Sequence, residues 1–178
     1  LDKVDCLFRI VNRYDHYIEL ANNKANFLLA FLVSINLAVA ALLGYIDIFK
    51  FELVSPCVNI FKVLVLLVYL FFIGAGCRVL FFLYRVILPN TSSPSSTTPS
   101  SIFFGDVASL TPDNYAGVID KLSEGEFVRD LSFQANVMAG IVSDKFASQK
   151  ILMRVTLLWL VPSAFLVAVG CVFLKAVS

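Results

Sequence analysis

Few residues in this sequence have the type and spacing for catalysis. The one histidine, His16, lies between Asp15 and Tyr17; alone on an amphipathic stretch it reads as an ordinary polar residue. No H-E-x-x-H, G-x-S-x-G or phosphate-loop signature occurs. Glu124 and Glu126 stand two apart, a spacing that points their carboxylates away from each other on a helix. They suit the start of a helix better than an acid–base pair. Cys6, Cys57, Cys77 and Cys171 are widely separated and form no Cys-x-x-Cys pair, which speaks against a zinc site or a disulfide frame. Cys77 and Cys171 fall in apolar runs, as small fillers do. The reading is a protein that is not an enzyme and holds no metal or cofactor.

Binding chemistry is better represented. Arg129, Asp130, Gln134, Asp144 and Lys145 share one helical stretch, and Asp130, Gln134, Val137, Ile141 and Asp144/Lys145 share a face. Lys24 sits between Asn23 and Asn26 at the edge of an apolar run. One reading is a solvated face with i,i+4 support. The other is a pocket for a small anionic ligand. In that pocket Arg129 and Lys145 lead as phosphate contacts, with Lys24 also a candidate and Lys24 or Arg85 the alternative place for the site. Asp130, Gln134 and Asp144 would meet hydroxyls or base edges, and Phe103, Phe104 or Tyr115 would stack on a ring.

The elements that must position these residues follow from composition. The chain has 178 residues, 59% hydrophobic and 15% charged, with mean hydropathy +0.85. Soluble domains are nearer 45–50% apolar and about 25% charged. An ordinary soluble protein, a disordered chain and a disulfide scaffold are therefore excluded. The net charge of +1 gives no field for nucleic acid. Residues 25–46, 63–83 and 155–174 read as membrane spans, since about 20 apolar residues cross the hydrocarbon core. Arg78 falls late in the second run, where it either snorkels to the headgroups or lines a pore. Gly74 and Gly76 before it would admit a neighbouring helix. Ser34, Asn36 and Arg78 are the candidate pore or helix-contact residues. Pro162 should kink the third span or free a carbonyl. Of the 14 basic residues, only Lys50, Lys62 and Lys175 fall on the far side if the N-terminus is cytoplasmic, and the positive-inside rule favours that arrangement.

Outside the spans, residues 1–24 carry apolar side chains at helical spacing. They read as a cytoplasmic amphipathic helix, not a signal peptide, running on into the first span. Residues 47–59 form the outer loop and residues 60–88 contain the second span. Residues 89–105 hold a Ser/Thr/Pro-rich loop whose stretch 90–101 reads as a flexible tether. Thr111-Pro112-Asp113 opens a short helix. Ser123 and Glu126 form a capping box for the next, which should run unbroken past Trp159. Residues 106–150 are thus a cytoplasmic helical region and 151–175 the last span. The fold class is all-α: an integral membrane protein of about three transmembrane helices, two of them extended into a cytoplasmic sensor.

Asn23-Lys24-Ala25, Ile102-Phe103-Phe104-Gly105-Asp106-Val107 and Asp130…Gln134…Asp144-Lys145-Phe146 together resemble the transmembrane effectors of Pycsar antiphage systems. The resemblance covers nearly the whole chain in order, apart from the insertion at 90–101. It implies a multi-pass protein of the bacterial inner membrane. It also implies a companion pyrimidine cyclase that supplies cyclic UMP or cyclic CMP, membrane impairment on binding, and abortive infection. It adds Asp106 to the candidate ligand residues. Three helices cannot enclose an ample pore alone, so a homo-oligomer in the lipid bilayer is expected. The competing readings are a small transporter or channel subunit without nucleotide control, and a membrane scaffold. A transporter would show broken helices in repeated halves, and no internal repeat is present.

Overall fold

The computed structural model describes residues 2–46, 48–49, 56–88 and 100–177. The expected tether at 90–99, and the outer loop at 47 and 50–55, lie outside the described residues. Among the described residues every regular element is helical: α1 (Lys3–Tyr45), α2 (Pro56–Ile87), α3 (Phe104–Val107), α4 (Pro112–Lys121), α5 (Glu124–Val155), a π-turn (Thr156–Leu160) and α6 (Val161–Val177). The all-α expectation is met. Three helices among the described residues are long and apolar enough to cross a membrane: α1, α2, and the α5–π-turn–α6 run.

The helix ends follow local chemistry. Asp2 opens α1 by accepting from the backbone N–H of Val4 at 2.9 Å. Pro56 is the first residue of α2, where its missing N–H costs nothing. Thr111 caps α4 ahead of Pro112, accepting from the Asn114 N–H. The expected box at α5 is present in full. The Ser123 hydroxyl and N–H donate to Glu126 Oε2 at 2.6 and 3.0 Å, and the Glu126 N–H returns a bond to Ser123 Oγ. Those bonds hold the Glu126 carboxyl below its ordinary range.

The long last helix is not uniform as expected. It widens into the π-turn before Pro162, and the Val161 N–H reaches back to the Thr156 carbonyl. Pro162 supplies no N–H and its ring crowds the preceding turn, so the chain relieves the crowding upstream. The Ser163 hydroxyl donates to the carbonyls of Trp159 and Leu160, at 2.7 and 2.9 Å.

The chain divides into two compact units. Unit 1 comprises Leu1–Asn22 and Leu88–Phe146; unit 2 comprises Asn23–Ile87 and Ala147–Ser178. In unit 1, Leu131, Ala135 and Met138 of α5 are buried, with Ala21 of α1 and Phe103. Phe8 of α1 meets Phe127 of α5 with ring centroids 6.2 Å apart. In unit 2, Phe72, Val79 and Leu83 of α2 are buried, as are Leu160, Val167 and Cys171. Gly170 of α6 lies against Val65 so closely that a Cβ there would stand 2.6 Å from Val65 Cγ2. Gly76 meets Leu160 and Leu32 at ordinary contact distance, whereas a Cβ on Gly74 would meet nothing.

Candidate functional site

Unit 1 gathers the candidate ligand residues into two clusters. The first is the turn at residues 100–106 against α5. Asp130 is its anchor. Its Oδ1 accepts from Ser100 Oγ at 2.8 Å, and its Oδ2 accepts from the Ser101 N–H and hydroxyl, both at 2.7 Å. Asp106 accepts from the Ser100 N–H at 2.8 Å. Ser100 Oγ accepts in turn from the Ile102 and Phe103 N–H groups. Tyr115 of α4 donates its hydroxyl to the Ser101 carbonyl at 3.1 Å. The two carboxylates therefore shape this turn. Phe103 is buried by it, and its ring lies over Gly105, where a Cβ would sit 2.6 Å from Phe103 Cε1. Phe104 is left 64% exposed, its ring centroid 4.8 Å from that of Phe103. Arg129 is exposed beside Asp130, and Gln134 is half-buried one turn further along α5.

The second cluster sits where α1 and α5 leave unit 1. The Lys145 amine donates to Asn22 Oδ1 at 3.0 Å, tying the two helices. Lys145 is buried, and burial pushes its amine below the ordinary lysine range. An anion at such an amine gains more than at a hydrated one, because the surroundings screen less. Tyr17 of α1 and Phe146 of α5 meet edge to face, 6.3 Å apart. Asp144 is exposed.

Arg129 and Lys145, paired above as phosphate contacts, are not brought together. Both lie on the unbroken α5, and sixteen residues at about 1.5 Å each set them about 24 Å apart. One phosphate cannot touch both. Lys24 is exposed and belongs to unit 2. Of the candidate pore residues, Ser34 donates back to the Ala30 carbonyl and Asn36 to the Leu32 carbonyl, at 2.9 and 2.7 Å. Arg78 is exposed on α2.

Sequence reasoning missed Ser100, Ser101 and Asn22. The two serines were grouped with the tether, yet Ser101 is buried and both hydroxyls are spent on Asp130. The available signal was their place directly before the apolar Ile102-Phe103-Phe104. Asn22 had none beyond standing next to Asn23.

A helical protein with three membrane-length helices and a helical unit sharing two of them is the class that fold and site define. The family model described as the Pycsar effector protein domain matches residues 6–175. The chain belongs to that family, and its role is that of an antiphage effector. No curated protein and no solved structure matches it.

Proposed function

We propose that the chain is the membrane-impairing receptor of a cyclic pyrimidine nucleotide, cyclic UMP or cyclic CMP, made by a companion cyclase. One observation carries the reading: α1 and α5 each run unbroken through residues of both units, and Lys145 ties them together at the end of unit 1. A ligand acts through its differential affinity for two states. A cyclic phosphate drawn to the Lys145 amine competes with Asn22 and so alters how α1 and α5 are held. The Tyr17–Phe146 pair supplies an aromatic edge for the base. Asp130 and Asp106 act as positioning residues for the 100–106 turn, and exposed Phe104 with Arg129 is the second place where a base and phosphate would be received. The apolar helices sit in the bacterial inner membrane with the N-terminus cytoplasmic. The protein acts as a homo-oligomer, and impairment of the membrane ends the infection abortively.

The test is a thermal shift of the detergent-purified chain with cyclic UMP, cyclic CMP, cyclic AMP and cyclic GMP, followed by dye release from liposomes. A pyrimidine nucleotide should raise the midpoint and trigger release. Lys145→Gln should abolish both, while Arg129→Gln retains them. Loss in Arg129→Gln alone moves the site to Phe104. No shift with any nucleotide removes the receptor reading and leaves a channel or transporter subunit.

A further inference from the structure

The π-turn Thr156–Leu160 is the one departure from α geometry in the run from Glu124 to Val177. A π-turn holds one residue more than the α-helical path it replaces, and such turns concentrate at functional sites. Here the backbone groups around it are cared for by side chains that travel with the helix. Thr156 Oγ1 donates to the Leu152 carbonyl at 2.9 Å. Ser163 Oγ serves the Trp159 and Leu160 carbonyls. In hydrocarbon an unmet carbonyl is costly, and these hydroxyls hold that cost down whichever path the chain takes. Beside the turn lies an open apolar groove of about 340 Å³, lined by Leu67, Phe71, Trp159, Pro162 and Leu166. Within it the Phe71 ring of α2 meets Trp159 of the turn, 5.6 Å between centroids, a tilted contact that a change of path must break. Further along, α6 is held to α2 by the close approach of Gly170 to Val65 and by the Phe61–Phe173 pair, 4.9 Å between ring centroids.

We propose that the π-turn is a hinge that converts to regular α-helix on activation, turning α6 by about 100° and advancing it by about 1.5 Å, and so withdrawing its Gly170 face from α2. This rests on the reading of the chain as a ligand-gated effector. Pro162 holds the resting form, because in the α-helical path its ring would press on the Leu158 carbonyl one turn back, a clash that Pro162→Ala removes. Conversion turns the face that now carries Val167, Gly170 and Cys171, all buried, away from α2 and leaves it uncovered.

Two changes push the hinge in opposite directions. Pro162→Ala removes that clash and favours the α form. Deleting Leu158 removes the extra residue, keeps α6 in its resting register and leaves nothing to convert. The readout is alkylation of Cys171 by N-ethylmaleimide in the full chain in vesicles, with Cys6, Cys57 and Cys77 replaced by serine. Without any nucleotide, Cys171 should label severalfold faster in Pro162→Ala than in the parent, and dye release should begin spontaneously. The deletion should keep Cys171 shielded and release no dye when nucleotide is added. Parental labelling in Pro162→Ala overturns the hinge, as does full nucleotide-triggered release by the deletion variant. Should the deletion variant not insert, labelling of Pro162→Ala decides alone. If the parent itself releases no dye with any nucleotide, the receptor reading falls, while the Cys171 comparison still decides the hinge.

Discussion

The two units are held by different physics. Unit 1 has a small apolar core and is fastened besides at points, by Asp130 with Ser100 and Ser101, by Ser123 with Glu126, and by Lys145 with Asn22. Unit 2 is fastened along lines, by apolar side chains of α2 and α6 meeting over Gly170 and by Leu160 of the π-turn and Leu32 of α1 over Gly76. A hydrogen bond is directional and depends on charge, so unit 1 should respond to single polar changes and to pH. Packing is additive in volume, so unit 2 should respond to methyl groups. The proposed sensing role would use the first kind of fastening, because a charged ligand can compete for it. A membrane unit cannot use it freely, because polar groups there must be satisfied on their own helix, as Ser34, Asn36, Thr156 and Ser163 are.

The comparison can be broken most readily at Asp130. Asp130→Ala removes the acceptor of three hydrogen bonds and orphans the Ser101 N–H. It should lower the stability of unit 1 by about 3 kcal/mol. Hydrogen exchange of the full chain in detergent should show amides 101–107 losing protection while those of α6 keep theirs. Equal loss in both units would mean that the polar clamp is not local.

Next come the two crowded glycines. A Cβ at Gly105 in unit 1 or Gly170 in unit 2 would stand 2.6 Å from Phe103 or Val65. Each alanine substitution should cost about 1–3 kcal/mol by overpacking. Thermal melts followed by hydrogen exchange should place the loss in the unit that carries the change. Gly170→Ala, having loosened α6 from α2, should also leak dye without nucleotide.

A smaller effect of opposite sign is expected at Gly140, inside α5 with open space where a Cβ would go. Gly140→Ala should stabilise unit 1 by about 1 kcal/mol through helix propensity, seen as a raised melting midpoint. A fall would reveal a partner on that face.

The smallest effect is the pH slope from Lys145. Burial lowers its folded-state pKa from the ordinary lysine value of 10.5. Below the lowered value both states carry the proton and the burial cost is fully felt. Between that value and 10.5 the unfolded chain binds more protons, so stability should rise with pH. The difference between the parent and Lys145→Met melting midpoints should shrink as pH climbs through that window. A constant difference would show that the amine keeps its charge when folded.

Much was legible in the residues themselves. The three apolar runs, the Thr111-Pro112 start and the Ser123/Glu126 box depend on near neighbours and on length, and each is present in the structure. Helix existence and capping are short-range matters, set by periodicity, by proline's missing N–H and by hydroxyls within three residues. Pro162 announced a disturbance in the last run. Its form, a π-turn upstream with Ser163 serving two carbonyls, depends on how α6 must face α2 to bring Gly170 onto Val65. Likewise no local rule joins Ser101 to Asp130 across 29 positions, or Asn22 to Lys145 across 123. Those bonds exist because burial removed competing water from groups that folding brought side by side. Tertiary structure alone decided which of the charged residues on α5 became clamps and which, like Arg129, stayed in solvent.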